Sequence, residues 1–70
     1  MADQYEIRVA GTFDMAMLDE FAEFTAAVRP SETVIRGDIR DQAELHGVLD
    51  RLHRFGLELI EVRRESDASS

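Results

Sequence analysis

Three side chains on one helical face come nearest to catalytic or metal-binding chemistry: His46, Asp50 and His53. At 100° per residue the two imidazoles lie about 20° apart around a helix, with the carboxylate close beside them. Imidazole, carboxylate and imidazole can hold zinc or relay a proton. Adjacent turns of one helix supply only part of a tetrahedral site, however, and Asp50 can instead pair with Arg54 at i, i+4. No metal, cofactor or catalytic residue is assigned on this basis. If a ligand cleft exists, it lies beside this helix and uses Gln42, His46 and His53. Elsewhere the chemistry is thin. No serine, histidine and acid share a hydrolase context, and residues 11–15, GTFDM, lack the glycine spacing that cradles phosphate. Ala10-Gly11-Thr12 puts a glycine where small regulatory plaits bind amino acids, with no further specificity.

The helix carrying those residues is the best-specified part of the chain. Asp41 followed by Glu44 makes a capping-box-like start, with Asp38 a competing cap. Leu45, Val48, Leu49, Leu52 and Phe55 form one apolar stripe, and Gly56 is the expected left-handed stop. Gly47 projects away from that stripe, beside Ala43 and Arg54. It costs about 1 kcal/mol against alanine in a helix interior, and the small patch it leaves could admit a partner's backbone.

The other elements follow from periodicity. Tyr5, Ile7 and Val9 alternate with Glu6, Arg8 and Ala10, which predicts a half-buried strand ending at Gly11, its second face solvated. Thr12 or Asp14 can cap a following helix with Met15, Leu18, Phe21 and Ala22 inward. Asp14, Asp19 and Glu20 near its start suit the positive end of its dipole. Arg29-Pro30 should stop any helix, and Thr33, Val34 and Ile35 are β-branched. A hairpin is expected: Phe24 to Arg29, a turn at Pro30 to Glu32, then Thr33 to Gly37. Leu57 to Arg64 returns as a strand, and residues 66–70 read as a mobile polar tail.

The order strand, helix, strand, strand, helix, strand predicts one α+β domain over residues 1–65. Two helices on one face of a four-stranded antiparallel sheet make it a ferredoxin-like βαββαβ plait. If residues 24–28 stay helical, a three-stranded βαβαβ sheet is the fallback. In the last strand, Leu57 and Leu59 share one face while Ile60 and Val62 share the other. Either a bulge re-registers the strand or its outward apolar positions meet a second copy.

Composition narrows the function classes. Seventy residues with fifteen acidic against eight basic side chains carry a formal charge of −7. Such a surface repels phosphate backbones unless a basic patch is segregated from it. Arg51, Arg54, Arg63 and Arg64 are interleaved with Asp50, Glu58, Glu61 and Glu65, so nucleic acid is not the expected partner. With no cysteine, disulfides and thiolate sites are excluded. No run approaches the roughly 20 apolar residues of a membrane span, and MADQYEIRV has no signal-peptide pattern, which makes cytoplasmic residence the expectation.

Within residues 33–64, Gly37 is followed by Asp41, Gln42, Ala43, Leu45, His46, Gly47 and Leu49, then by Gly56, Leu57 and Leu59. This pattern, with the opening YEIRVAG, resembles a set of small, mostly actinobacterial, uncharacterised proteins. The resemblance implies a ferredoxin-like domain and no established reaction.

The reading that results is a small non-enzymatic interaction or regulatory module that forms a homodimer or docks on a protein partner. Its contact residues are Ala43, Gly47, Arg54, Ile60 and Val62. The alternative is a small-ligand-binding domain, or a small dimeric plait-type enzyme, with Gln42, His46 and His53 at its cleft.

Overall fold

A computed structural model of the chain describes residues 2–11 and 13–65; the expected polar tail at 66–70 lies outside them. The elements are β1 (Asp3–Ala10), α1 (Met15–Glu20), β2 (Thr25–Val28), β3 (Glu32–Ile39), α2 (Gln42–Arg54) and β4 (Glu58–Glu65). The protein is thus α+β, with two helices and one four-stranded antiparallel sheet in the order β2-β3-β1-β4. The hairpin expected around Pro30 forms, so the three-stranded fallback does not apply.

The alternation in β1 sorts the sheet into two faces. Ile7 pairs across to Ile35 on one side and Val62 on the other, and Val9 stands between Thr33 and Leu59. Ile7, Val9 and Ile35 meet Phe13 and Phe21, which flank α1, and Leu45, Val48 and Leu52 of α2 in one buried cluster, with Val62 packed against it. Val34 is buried too but stands outside that cluster, on the opposite face with Glu6, Arg8 and Arg36.

Each helix end has an identifiable cause. Asp14 caps α1, its carboxylate accepting from the Met17 N–H at 3.0 Å. Asp41, not Asp38, caps α2, accepting from the Glu44 N–H at 2.8 Å. Glu44 reaches back to the Arg40 N–H at 2.6 Å, one residue beyond the usual box partner. At the other end, Gly56 takes φ +79 and donates to the His53 carbonyl at 2.9 Å, while Leu57 donates to Leu52 at 3.2 Å. That pair of bonds is a Schellman stop, and both of its leucines lie in the core cluster.

Helix α1 departs from expectation. It is six residues long, so Asp19 and Glu20 sit at its C-terminal end instead of near its start. Met15, expected inward, is 77% exposed as the first residue after the cap, and Met17 packs on the core in its place. What holds this short helix down is α2. The Arg51 guanidinium lies 4.5 Å above the Phe21 ring and donates to the Glu20 carbonyl at 2.5 Å. Phe55, expected on the inward stripe, is instead the partly exposed cap of α2 and packs edge-on against Phe21.

Candidate functional site

Three surfaces could carry function: the sheet face away from the helices, the β4 edge with its adjoining cleft, and the outer face of α2.

The sheet face is a checkerboard of charge. Across the strands, Thr25, Arg36, Glu6 and Arg63 form one row; Ala27, Val34, Arg8 and Glu61 form the next. Glu6 was expected in solvent, yet it is only 4% exposed. Its two carboxylate oxygens are divided between Arg36 (3.2 Å) and Arg8 (3.3 Å). Arg8 continues to Glu32 at 3.2 Å and Glu61 at 3.6 Å, and Arg36 reaches Glu65 at 3.8 Å. Burial by itself pushes the Glu6 carboxyl up. The neighbouring Glu65 carboxyl and the charges of Arg36 and Arg8 outweigh that and hold it below the usual carboxylate range. A cavity of about 190 Å³ opens here, with Glu6, Arg8, Arg29 and Arg36 around Ala27 and Val34. Sequence reasoning missed this network because cross-strand register, which sets Arg36 opposite Glu6, is not a property of either strand alone. The one available signal was a carboxylate amid apolar neighbours in a central strand.

On β4 the pairing with β1 shifts between Arg8 and Val9: Arg8 faces Glu61 while Val9 faces Leu59. Ile60 is the surplus residue of a bulge, the first of the two readings of this strand. Val62 consequently does not share an outward face with Ile60. It packs against the core, while Leu59 and Ile60 are 49% and 52% exposed. Beside them an apolar cleft of about 170 Å³ is lined by Val9, Leu49, Leu52, His53, Leu57 and Leu59.

The residues proposed to converge at a ligand cleft do not all do so. His53 lines the apolar cleft, but Gln42 and His46 are exposed and lie outside its lining. Asp50 is taken by Arg54 at 3.0 Å. Among the described residues no group of three or more His, Cys, Asp or Glu side chains could hold a metal ion. On the outer face of α2, Ala43, Gly47 and Arg54 are all exposed, and a Cβ at Gly47 would meet nothing within 4 Å. No helix among the described residues is long and apolar enough to cross a membrane.

The model of a family described as a domain of unknown function, DUF8691, matches residues 4–63. The chain belongs to this family. The match runs from β1 into β4 and takes in the three surfaces just described apart from Glu65. No curated protein and no solved structure matches the chain.

Proposed function

We propose that this DUF8691 domain is a non-enzymatic interaction module of ferredoxin-like plait architecture, working in the cytoplasm as a homodimer joined along β4. The observation that carries this reading is the exposure of Leu59 and Ile60, each about half open, on an unpaired strand edge beside an apolar cleft. Edge strands are usually blunted by charge or bulges because their free N–H and C=O groups recruit other strands. Here the bulge residue is itself a large aliphatic turned outward. A small domain also gains from burial supplied by a second copy. An antiparallel β4 pair centred on Val62 sets Glu61 of each copy opposite Arg63 of the other, exchanging between copies the ion pair they make within one chain at 3.3 Å.

The Ala43–Gly47–Arg54 face is the lesser contact, since it presents no large apolar side chain and Arg54 is already paired. The interleaved charges of the sheet face argue against nucleic acid as the partner. The kinship with small actinobacterial proteins sharing the Asp-Gln-Ala-x-Leu-His-Gly pattern belongs to this proposal as well.

Sedimentation equilibrium tests it. The wild type should be dimeric at high micromolar concentration and Ile60→Lys monomeric with an unchanged circular dichroism spectrum. A monomeric wild type would remove the reading. A ligand-binding role at the cleft beside α2 is the second reading, favoured by the apolar slot that His53 borders.

A further inference from the structure

The cavity on the sheet face gathers guanidinium groups in a chain that has few of them. Three of the eight basic residues, Arg8, Arg29 and Arg36, line this one hollow. Two of them are fixed in place: Glu6, beneath them, commits one oxygen to Arg8 and the other to Arg36. Glu6, itself only 4% exposed, thus acts as a brace for two guanidinium groups. Each guanidinium has five N–H donors in a planar fork suited to carboxylate and phosphate oxygens. The contacts to Glu6, Glu32, Glu61 and Glu65 leave donors of both unspent. Arg29 differs from the other two. Its backbone is anchored, its N–H donating to the Glu32 carbonyl at 2.8 Å, while among the described residues its guanidinium has no ion-pair partner. The remaining lining is a hydroxyl, Thr25, and two small apolar side chains, Ala27 and Val34.

From this geometry we propose that the cavity is a binding site for a small organic acid. Its carboxylate meets Arg29 and the free donors of Arg8 and Arg36, and its carbon body lies on Ala27 and Val34. The volume suits such a ligand: an apolar cavity of about 150 Å³ holds a benzene molecule, and this one measures about 190 Å³. Glu32, which grips Arg8 at 3.2 Å, competes with the ligand from the rim. No residue of β4 lines the cavity, so the site is distinct from the proposed contact between copies.

Titration of the ¹⁵N-labelled protein with succinate, and separately with inorganic phosphate, tests the proposal. Succinate should give saturable amide shifts centred on Thr25, Ala27, Val34 and Arg36. Arg29→Gln should weaken binding about tenfold, the usual cost of losing one charge-assisted contact. Glu32→Gln, by releasing Arg8, should tighten it. Both variants must first reproduce the wild-type amide spectrum away from the substituted residue; a variant that does not is replaced by Arg29→Lys or Glu32→Ala. Shifts that do not saturate, an unchanged affinity in Arg29→Gln, or phosphate binding as tightly as succinate would each overturn it. The first two mean no built site, and the third means that the apolar floor plays no part.

Discussion

The Phe24 ring lies over the backbone of Gly37, in the space where any other residue would carry a side chain. Gly37 stands opposite Tyr5 in the sheet, and a Cβ built on it would overlap the ring. The glycine is thus a seat that lets the segment between α1 and β2 close onto the core. Gly37→Ala should destabilise the domain by about 1–3 kcal/mol, the range for overpacking. Urea unfolding measures this. In a Phe24→Leu background the same substitution should cost less, because the two residues share one space.

Gly47 is the opposite case. It sits within α2 in ordinary helical conformation, and a methyl group there meets only open space. Gly47→Ala should raise stability by about 1 kcal/mol, the helix-propensity difference. The urea midpoint should rise with the m-value unchanged. A fall in stability would mean that the outer face of α2 is covered in solution.

Arg51 ties α1 to α2 by stacking on Phe21, capping the Glu20 carbonyl and meeting the Glu20 and Glu23 carboxylates at 3.4 and 3.6 Å. A lysine keeps the charge but loses the planar fork that does these jobs together. Arg51→Lys should therefore cost about 1 kcal/mol, drawn from the cation–π contact and the helix-end hydrogen bond. Hydrogen exchange should show faster opening of residues 15–23 than of β1 and β3.

Glu6 gives the fold a defined acid sensitivity. Its carboxyl is held below the ordinary range when folded, because Glu65, Arg36 and Arg8 outweigh the effect of burial. The folded protein therefore binds this proton less readily than the unfolded chain does. The resulting stabilisation is complete above the unfolded value near about 4.3. It is lost as pH falls from there through the lower folded value. Glu6→Gln should lower stability at neutral pH and flatten its decline in acid. Parallel unfolding curves for the two proteins across that range would show that Glu6 is not the group responsible.

The parts of this architecture that could be read in advance are those written in contiguous residues. The Asp41 cap, the Leu45–Leu52 stripe and the Gly56 stop specify α2 locally, and Pro30 with the β-branched residues after it specifies the hairpin. Helix α1 was less legible. The carbonyl of its last residue, Glu20, is satisfied by Arg51, thirty-one positions away, and no local period reports such a contact. The candidate site on the sheet face was hidden for a similar reason. Glu6 and Arg36 come from two strands and Arg29 from the turn after β2, and their meeting depends on two registers that neighbouring sequence does not encode. Val62 was misplaced by a single residue's offset, although a bulge was among the readings that its neighbours allowed.

That offset has a consequence for how the chain tolerates shortening. Removing one residue from a strand ordinarily flips every later side chain to the wrong side of the sheet. Position 60 is the exception, because Ile60 is the uncounted residue between the Leu59–Val9 and Glu61–Arg8 pairs. A chain lacking Ile60 would read Leu57, Leu59, Val62 and Arg64 at every second place. Its strand would lie straight with its sidedness intact, while losing Val62 instead would bring Glu61 to the inward place opposite Ile7.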